Sequence, residues 1–225
     1  MQLLVSVANA DEAAAAAAGG ADVVDAKDPS RGALGAVTPL AFARIRRVVN
    51  APTSAAIGDA ADDESVERDA RTFRAAGALF VKVGFGGTSD ITRLAHILEA
   101  ARRGAPDAVV AVAYADADRA GAPSQAAVLD AAARAGATGV LLDTSDKSGP
   151  GVRRLMTAPA LADWVRAARD ARLRVAIAGQ LTAGDLSFVR DLGADIAGVR
   201  GAACIGGRTG RISSRLVRTL RAGCS

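Results

Sequence analysis

The feature that most restricts what this chain can fold into is a strict alternation. Eight short, mostly apolar runs recur along it, at residues 3–7, 23–26, 54–57, 79–83, 109–113, 140–142, 174–178 and 196–199. Between them lie longer Ala-, Arg- and Leu-rich segments with helical character, including 62–76, 89–103, 123–135, 158–171, 184–192 and 213–222, with the alanine run 13–18 reading as plain helix. Runs this apolar suit parallel strands buried on both faces rather than antiparallel strands with one wet face. A repeated junction supports the pattern. Gly19-Gly20-Ala21-Asp22, Ala76-Gly77-Ala78, Ala135-Gly136-Ala137 and Leu192-Gly193-Ala194-Asp195 each precede a strand run. Glycine just past a helix end supplies the left-handed cap that turns the chain back. Eight strand–helix units in 225 residues predict the α/β class and a single (β/α)8 TIM barrel spanning 1–225 as one catalytic domain. An open doubly wound sheet is the alternative.

Composition then points to chemistry. Of 28 basic residues, 25 are arginine and only three are lysine. A chain that uses arginine wherever charge suffices keeps lysine for what arginine cannot do, which is to lose a proton or attack a carbonyl. The three fall at comparable places: Lys27 ends the second strand run, Lys82 lies near the end of the fourth and Lys147 follows the sixth. In a (β/α)8 barrel the strand C-termini carry the active site. Asp25, two residues before Lys27, shares its side of the strand, and Asp143 ends the sixth run. The even-numbered strands share inward layers, so Asp25, Lys27, Lys82, Asp143 and Lys147 are the candidate catalytic group. Clustered ammonium groups lower one another's pKa and favour Schiff-base chemistry.

The other end of the chain offers an anion site. Small residues follow the seventh and eighth runs, in Ala178-Gly179-Gln180-Leu181 and Gly198-Val199-Arg200-Gly201-Ala202-Ala203-Cys204, continuing to Arg208 and Arg211. Loops in these positions commonly cradle phosphate with backbone N–H groups. Gly179, Gln180, Arg200, Gly201, Ala202 and Arg208 are therefore the candidate phosphate-binding residues, and small phosphorylated compounds the expected substrates. Asp59, Tyr114 and Asp116 also fall at the functional pole but carry a weaker signal.

Charge is uneven: residues 1–150 carry 15 basic and 19 acidic side chains, and residues 151–225 carry 13 and 5. The basic third lacks aromatic interleaving and long basic runs, which argues against nucleic acid as a partner. No apolar stretch approaches a membrane span or a secretory signal, so a cytoplasmic protein with no membrane partner is expected. One histidine and two cysteines, Cys204 and Cys224, offer neither a metal spacing nor a disulfide framework. No metal and no cofactor are expected; a homo-oligomer remains open.

The motifs together resemble a known family. Gly20-Ala21-Asp22-Val23-Val24-Asp25-Ala26-Lys27-Asp28-Pro29, Val81-Lys82-Val83-Gly84, Ala113-Tyr114-Ala115-Asp116-Ala117, Leu141-Leu142-Asp143-Thr144 with Lys147, and Gly198 to Cys204 with Gly210-Arg211-Ile212 follow in order. In this the chain is similar to the (5-formylfuran-3-yl)methyl phosphate synthases over nearly its whole length. The resemblance implies a lyase of methanofuran biosynthesis that joins two glyceraldehyde 3-phosphate molecules into a furan aldehyde, releasing one phosphate and two waters. It further implies that Lys27 forms the Schiff base, that Lys82 transfers protons, and that Asp143 and Lys147 support catalysis. Two positions depart from the family pattern: Ala33 replaces a serine in the loop after the second strand, and Gln180 replaces a small hydroxyl residue. An ordinary Schiff-base aldolase acting on another sugar phosphate, and a non-catalytic barrel that binds phosphometabolites, are the alternatives.

Overall fold

The computed structural model describes residues 1–59 and 62–225. Eight parallel strands close into a barrel in chain order: β1 (Gln2–Val7), β2 (Val23–Ala26), β3 (Thr53–Asp59), β4 (Phe80–Gly84), β5 (Val109–Tyr114), β6 (Gly139–Asp143), β7 (Arg174–Ile177) and β8 (Ile196–Val199). Closure is made by β1, which pairs with β2 on one side and β8 on the other, Val5 lying opposite both Val24 and Val199. The alternative of an open sheet is thereby excluded. The observed strands lie within about two residues of the expected runs, as strand ends commonly do.

The helices wrap the barrel: α1 (Ala10–Ala18), α2 (Pro39–Arg47), α3 (Asp63–Ala75), α4 (Ile91–Gly104), the short α5 (Ala117–Ala120), α6 (Gln125–Ala135), the short α7 (Val152–Leu155), α8 (Ala158–Asp170), α9 (Leu186–Asp191) and α10 (Ser214–Gly223). Their starts are written locally. The side chains of Asn9, Thr38, Asp62, Asp90, Ser124, Thr157 and Ser213 each accept a hydrogen bond from the first turn of the helix that follows, which satisfies an otherwise orphaned donor. Helix α2 is not evident from apolar spacing alone. It is set by the Thr38 cap, by Pro39 in the first turn and by burial of Phe42 and Ile45. Phe42 packs edge-on against Phe73 of α3, with ring centroids 5.3 Å apart.

Two layers of apolar packing result. The outer one, between strands and helices, holds residues such as Leu3, Val24, Val81, Leu142 and Ile177. The inner one, inside the barrel, holds Leu4, Val23, Leu34, Phe80, Val112, Tyr114, Leu141 and Ile196. Leu34 comes from the loop after β2 and packs beside Tyr114 within the barrel. A two-stranded hairpin, β9 (Cys204–Ile205) with β10 (Arg211–Ile212), extends the loop after β8. No helix among the described residues is long and apolar enough to cross a membrane.

Candidate active site

The site is built on β2. All four of its residues are buried, and the backbone N–H of Lys27 continues the ladder one residue further by donating to the Val7 carbonyl at 2.9 Å. Asp25 and Lys27, two apart, both face inward. Asp25 is fully buried and three donors hold its carboxylate: Ser6 Oγ donates at 2.9 Å, Ser54 Oγ at 2.7 Å and Lys82 Nζ lies at 2.5 Å. Burial alone would raise the Asp25 pKa. The charges of Lys82 and Lys27 and these hydrogen bonds outweigh it, and the group stays below the ordinary carboxylate range.

The second carboxylate is Asp143, which ends β6. Its Oδ1 accepts from Lys147 Nζ at 2.6 Å and from the Thr144 backbone N–H at 2.8 Å. Burial pushes its pKa up, but Lys147 and Lys27 bring it below the usual value. Lys27 stands between these two fixed pairs. Its Nζ has no hydrogen bond among the described residues, and the Asp143 Oδ2 that it faces is 4.0 Å away. Its side chain is 9% exposed, and burial lowers its pKa from 10.5 to about 8. Asp143 and Asp25 oppose that fall, while the nearby Lys147 and Lys82 charges reinforce it. Repulsion between lysines, expected from the sequence as the main cause, is thus secondary to desolvation.

Neighbouring residues hold this geometry. Asp116 accepts from the backbone N–H groups of Ser145 and Asp146 and from Ser145 Oγ at 2.7–2.9 Å, shaping the loop that carries Lys147. Gln180, at φ +60°, donates from Nε2 to the Gly149 carbonyl at 3.0 Å and braces the same loop. Tyr114, 1% exposed, donates to Asp59 Oδ1 at 2.8 Å, and that oxygen also accepts from the Gly86 N–H. Burial and the Asp59 charge raise the Tyr114 pKa well above normal, so the phenol stays protonated. Ser6 and Ser54 were not singled out from the sequence. The available signal was a hydroxyl within an otherwise apolar strand run.

The five catalytic candidates therefore converge, although Asp25 lies beneath the cavity wall as the buried partner of Lys82. Around the mouth, Gly179, Gln180, Gly201, Ala202, Arg200 and Arg208 line one cavity of about 340 Å³ together with Lys27, Lys82, Asp143 and Lys147. The backbone N–H groups of Gly179, Gly201 and Ala202 donate to no acceptor among the described residues. Arg208 reaches across the mouth to the carbonyls of Pro29 at 2.6 Å and Gly32 at 3.0 Å. Arg200, expected to point at phosphate, is engaged elsewhere. It is 7% exposed, and its guanidinium donates to both Glu12 carboxylate oxygens, at 2.8 and 3.1 Å, to the Ser6 carbonyl at 2.9 Å and to the Arg208 carbonyl at 2.7 Å. A buried guanidinium takes the nearest carboxylate, and Glu12 on α1 supplies it.

With this geometry in place, relatives are informative. The sequence profile of the 4-HFC-P synthase family matches residues 3–221. The chain belongs to this family. It is 37% identical over 230 residues to the (5-formylfuran-3-yl)methyl phosphate synthase of Methanothermobacter thermautotrophicus, covering 98% of each chain. It is 36% identical to that of Methanocaldococcus jannaschii, covering all of both. Among solved structures the barrel is similar to a 3-hexulose-6-phosphate synthase, with TM-score 0.66, 20% identity and full coverage of both chains. It is also similar to phosphoribosyl anthranilate isomerase from Thermus thermophilus, with TM-score 0.67, 18% identity and coverage of 99% and 98%. These last two likenesses concern the fold. In this family member, Lys27, Lys82, Asp143 and Lys147 line the cavity at the barrel mouth and Asp25 lies buried beneath its wall.

Proposed function

We propose that this protein is a (5-formylfuran-3-yl)methyl phosphate synthase of methanofuran biosynthesis, a carbon–oxygen lyase that condenses two glyceraldehyde 3-phosphate molecules through a Schiff base on Lys27. The observation that carries the reading is the contrast among the lysines. Lys82 and Lys147 are each held at 2.5–2.6 Å by a carboxylate, whereas Lys27 has no such bond and a pKa of about 8. An amine of that pKa is about one-tenth deprotonated at pH 7 and can attack an aldehyde carbon, with the carbonyl oxygen leaving as water. The resulting iminium withdraws electrons from the neighbouring carbon, whose proton passes to a base at the mouth. Lys82, paired with Asp25, and Lys147, paired with Asp143, are the proton carriers in this reading. The enamine can then expel the β-phosphate, the electron pair of the broken C–O bond leaving with phosphate, or attack the second aldehyde.

The retained phosphate belongs with the free N–H groups of Gly179, Gly201 and Ala202 and with Arg208. Ala33 and Gln180 each leave the lysine–carboxylate group intact. Two triose phosphates less one phosphate and two waters balance the furan product without an oxidant. The test is incubation with glyceraldehyde 3-phosphate alone: one phosphate should be released per ultraviolet-absorbing furan formed. Reversible aldol products without phosphate release would favour an ordinary Schiff-base aldolase. Binding without turnover would favour a carrier.

A further inference from the structure

The cavity beneath the lysines does not stop at them. Its walls include Phe80, Arg174 and Ile196, the first residues of β4, β7 and β8, so it runs from the mouth toward the opposite pole of the barrel. Barrel interiors are ordinarily filled by bulky branched side chains. Here Ala176 of β7, Ala178 just after it and Gly198 of β8 face the cavity. A Cβ added at Gly198 would meet the Ala178 Cβ at 3.2 Å and Leu4 Cδ2 at 3.7 Å, so these residues abut and form one stretch of the cavity wall. Toward β5, Leu34, Val112 and Tyr114 pack together inside the barrel. At the far end stands the exposed Arg174, whose guanidinium lies 5.3 Å from the centre of the Phe80 ring.

The chemistry changes along this cavity. The mouth carries lysines, carboxylates and free backbone N–H groups. The floor carries Leu4, Phe80, Val110, Leu141, Ala176 and Ile196, all 9% exposed or less. Between the lysines and Arg174, these side chains offer a phosphate no hydrogen bonds to replace its water, and a buried unpaired charge is strongly disfavoured. A small uncharged group loses nothing there and gains the burial of its carbon surface. If the proposed function holds, one triose keeps its phosphate and the other loses it, so one of the two halves becomes an uncharged three-carbon aldehyde unit.

The geometry points to a second subsite: the apolar floor, entered past Gly198 and Ala176, receives the three-carbon unit that has given up its phosphate, while the mouth holds the phosphorylated partner. This inference rests on the Schiff-base reading above. The floor keeps the dephosphorylated half in a dry space beside Lys27, where the imine is protected from hydrolysis until the second carbon–carbon partner arrives.

The probe is propanal, an uncharged three-carbon aldehyde, set against glyceraldehyde 3-phosphate. Each is incubated with borohydride, and reduced adducts on Lys27 are quantified by peptide mass spectrometry for the native protein, Ala176→Leu and Gly198→Ala. In the native protein both aldehydes should be captured. Filling the floor should cut propanal capture at least fivefold and furan formation at least tenfold, with capture of glyceraldehyde 3-phosphate changed less than twofold. If Ala176→Leu does not melt cooperatively, Gly198→Ala and Ala176→Val carry the same readout. Equal capture of propanal by native and filled variants would overturn the subsite alone, as would an equal loss of both aldehydes. Absence of any Lys27 adduct in the native protein would overturn the Schiff-base reading and the subsite with it.

Discussion

At the scale of single residues, Lys27 carries both function and cost. Its folded pKa of about 8, against 10.5 for a free side chain, means that burying its protonated form opposes folding by roughly 3 kcal/mol. The unfolded chain binds the proton more tightly, so this cost is fully present below pH 8 and disappears as pH rises from about 8 toward 10.5. Lys27→Met should therefore abolish activity yet raise stability by about 1–3 kcal/mol at pH 7, a gain that shrinks above pH 8 in urea unfolding. Lys27→Arg keeps the charge but cannot form an imine, and kcat should fall by several orders of magnitude. The rate of imine capture by the native protein should climb with pH through about 8. Lys82 behaves differently because Asp25 depends on it. Lys82→Met strands a fully buried carboxylate and should cost about 3–5 kcal/mol, whereas adding Asp25→Asn should restore part of that loss. A double-mutant cycle by denaturant titration measures the coupling, and additive effects would contradict the pairing seen at 2.5 Å.

At the scale of elements, helix α1 and two loops are tied together around the mouth. Glu12 on α1 accepts from Arg200, Arg200 holds the Arg208 carbonyl, and Arg208 holds the carbonyls of Pro29 and Gly32 in the loop after β2. The chain of bonds thereby fixes the backbone whose N–H groups line the mouth beside Gly201. Arg200→Ala should raise KM roughly 10-fold, the loss expected for a charge-assisted bond of about 1.5–3 kcal/mol. A direct phosphate contact would make the same prediction, so Glu12 decides between them. Glu12→Gln should reproduce much of the rise with kcat little changed, and the double variant should be no worse than Arg200→Ala alone. An unchanged KM in Glu12→Gln would return Arg200 to the role of phosphate ligand.

At the scale of the molecule, closure makes every barrel strand a central one. Val5 lies between Val24 and Val199, with no edge of the sheet at which a missing donor could face water. Proline in an interior strand deletes a ladder bond and is tolerated almost only at edges and bulges. Val5→Pro should therefore prevent the barrel from closing, read as loss of cooperative melting and of near-ultraviolet circular dichroism. A variant that melted like the native protein would be inconsistent with pairing of β1 on both sides.

The strand alternation, the helix caps and the rarity of lysine are local properties, written in consecutive residues, and they point to the barrel and to the pole at which Lys27, Lys82 and Lys147 gather, while closure of β1 against β8 decides between barrel and open sheet. Strand period two places Asp25 with Lys27, because it requires nothing beyond the pleat. Other features depend on residues far apart in the chain. That Asp25 belongs to Lys82 and that Ser6 and Ser54 complete its shell follow only once the strands pair in register, and that Glu12 takes Arg200 from 188 positions away only once β1 closes against β8. The hollow floor is likewise invisible in sequence: Ala176 and Gly198 read as ordinary strand residues until the barrel sets them side by side. Electrostatic partnership and empty volume depend on three-dimensional distance, which the pattern of residues along the chain does not encode.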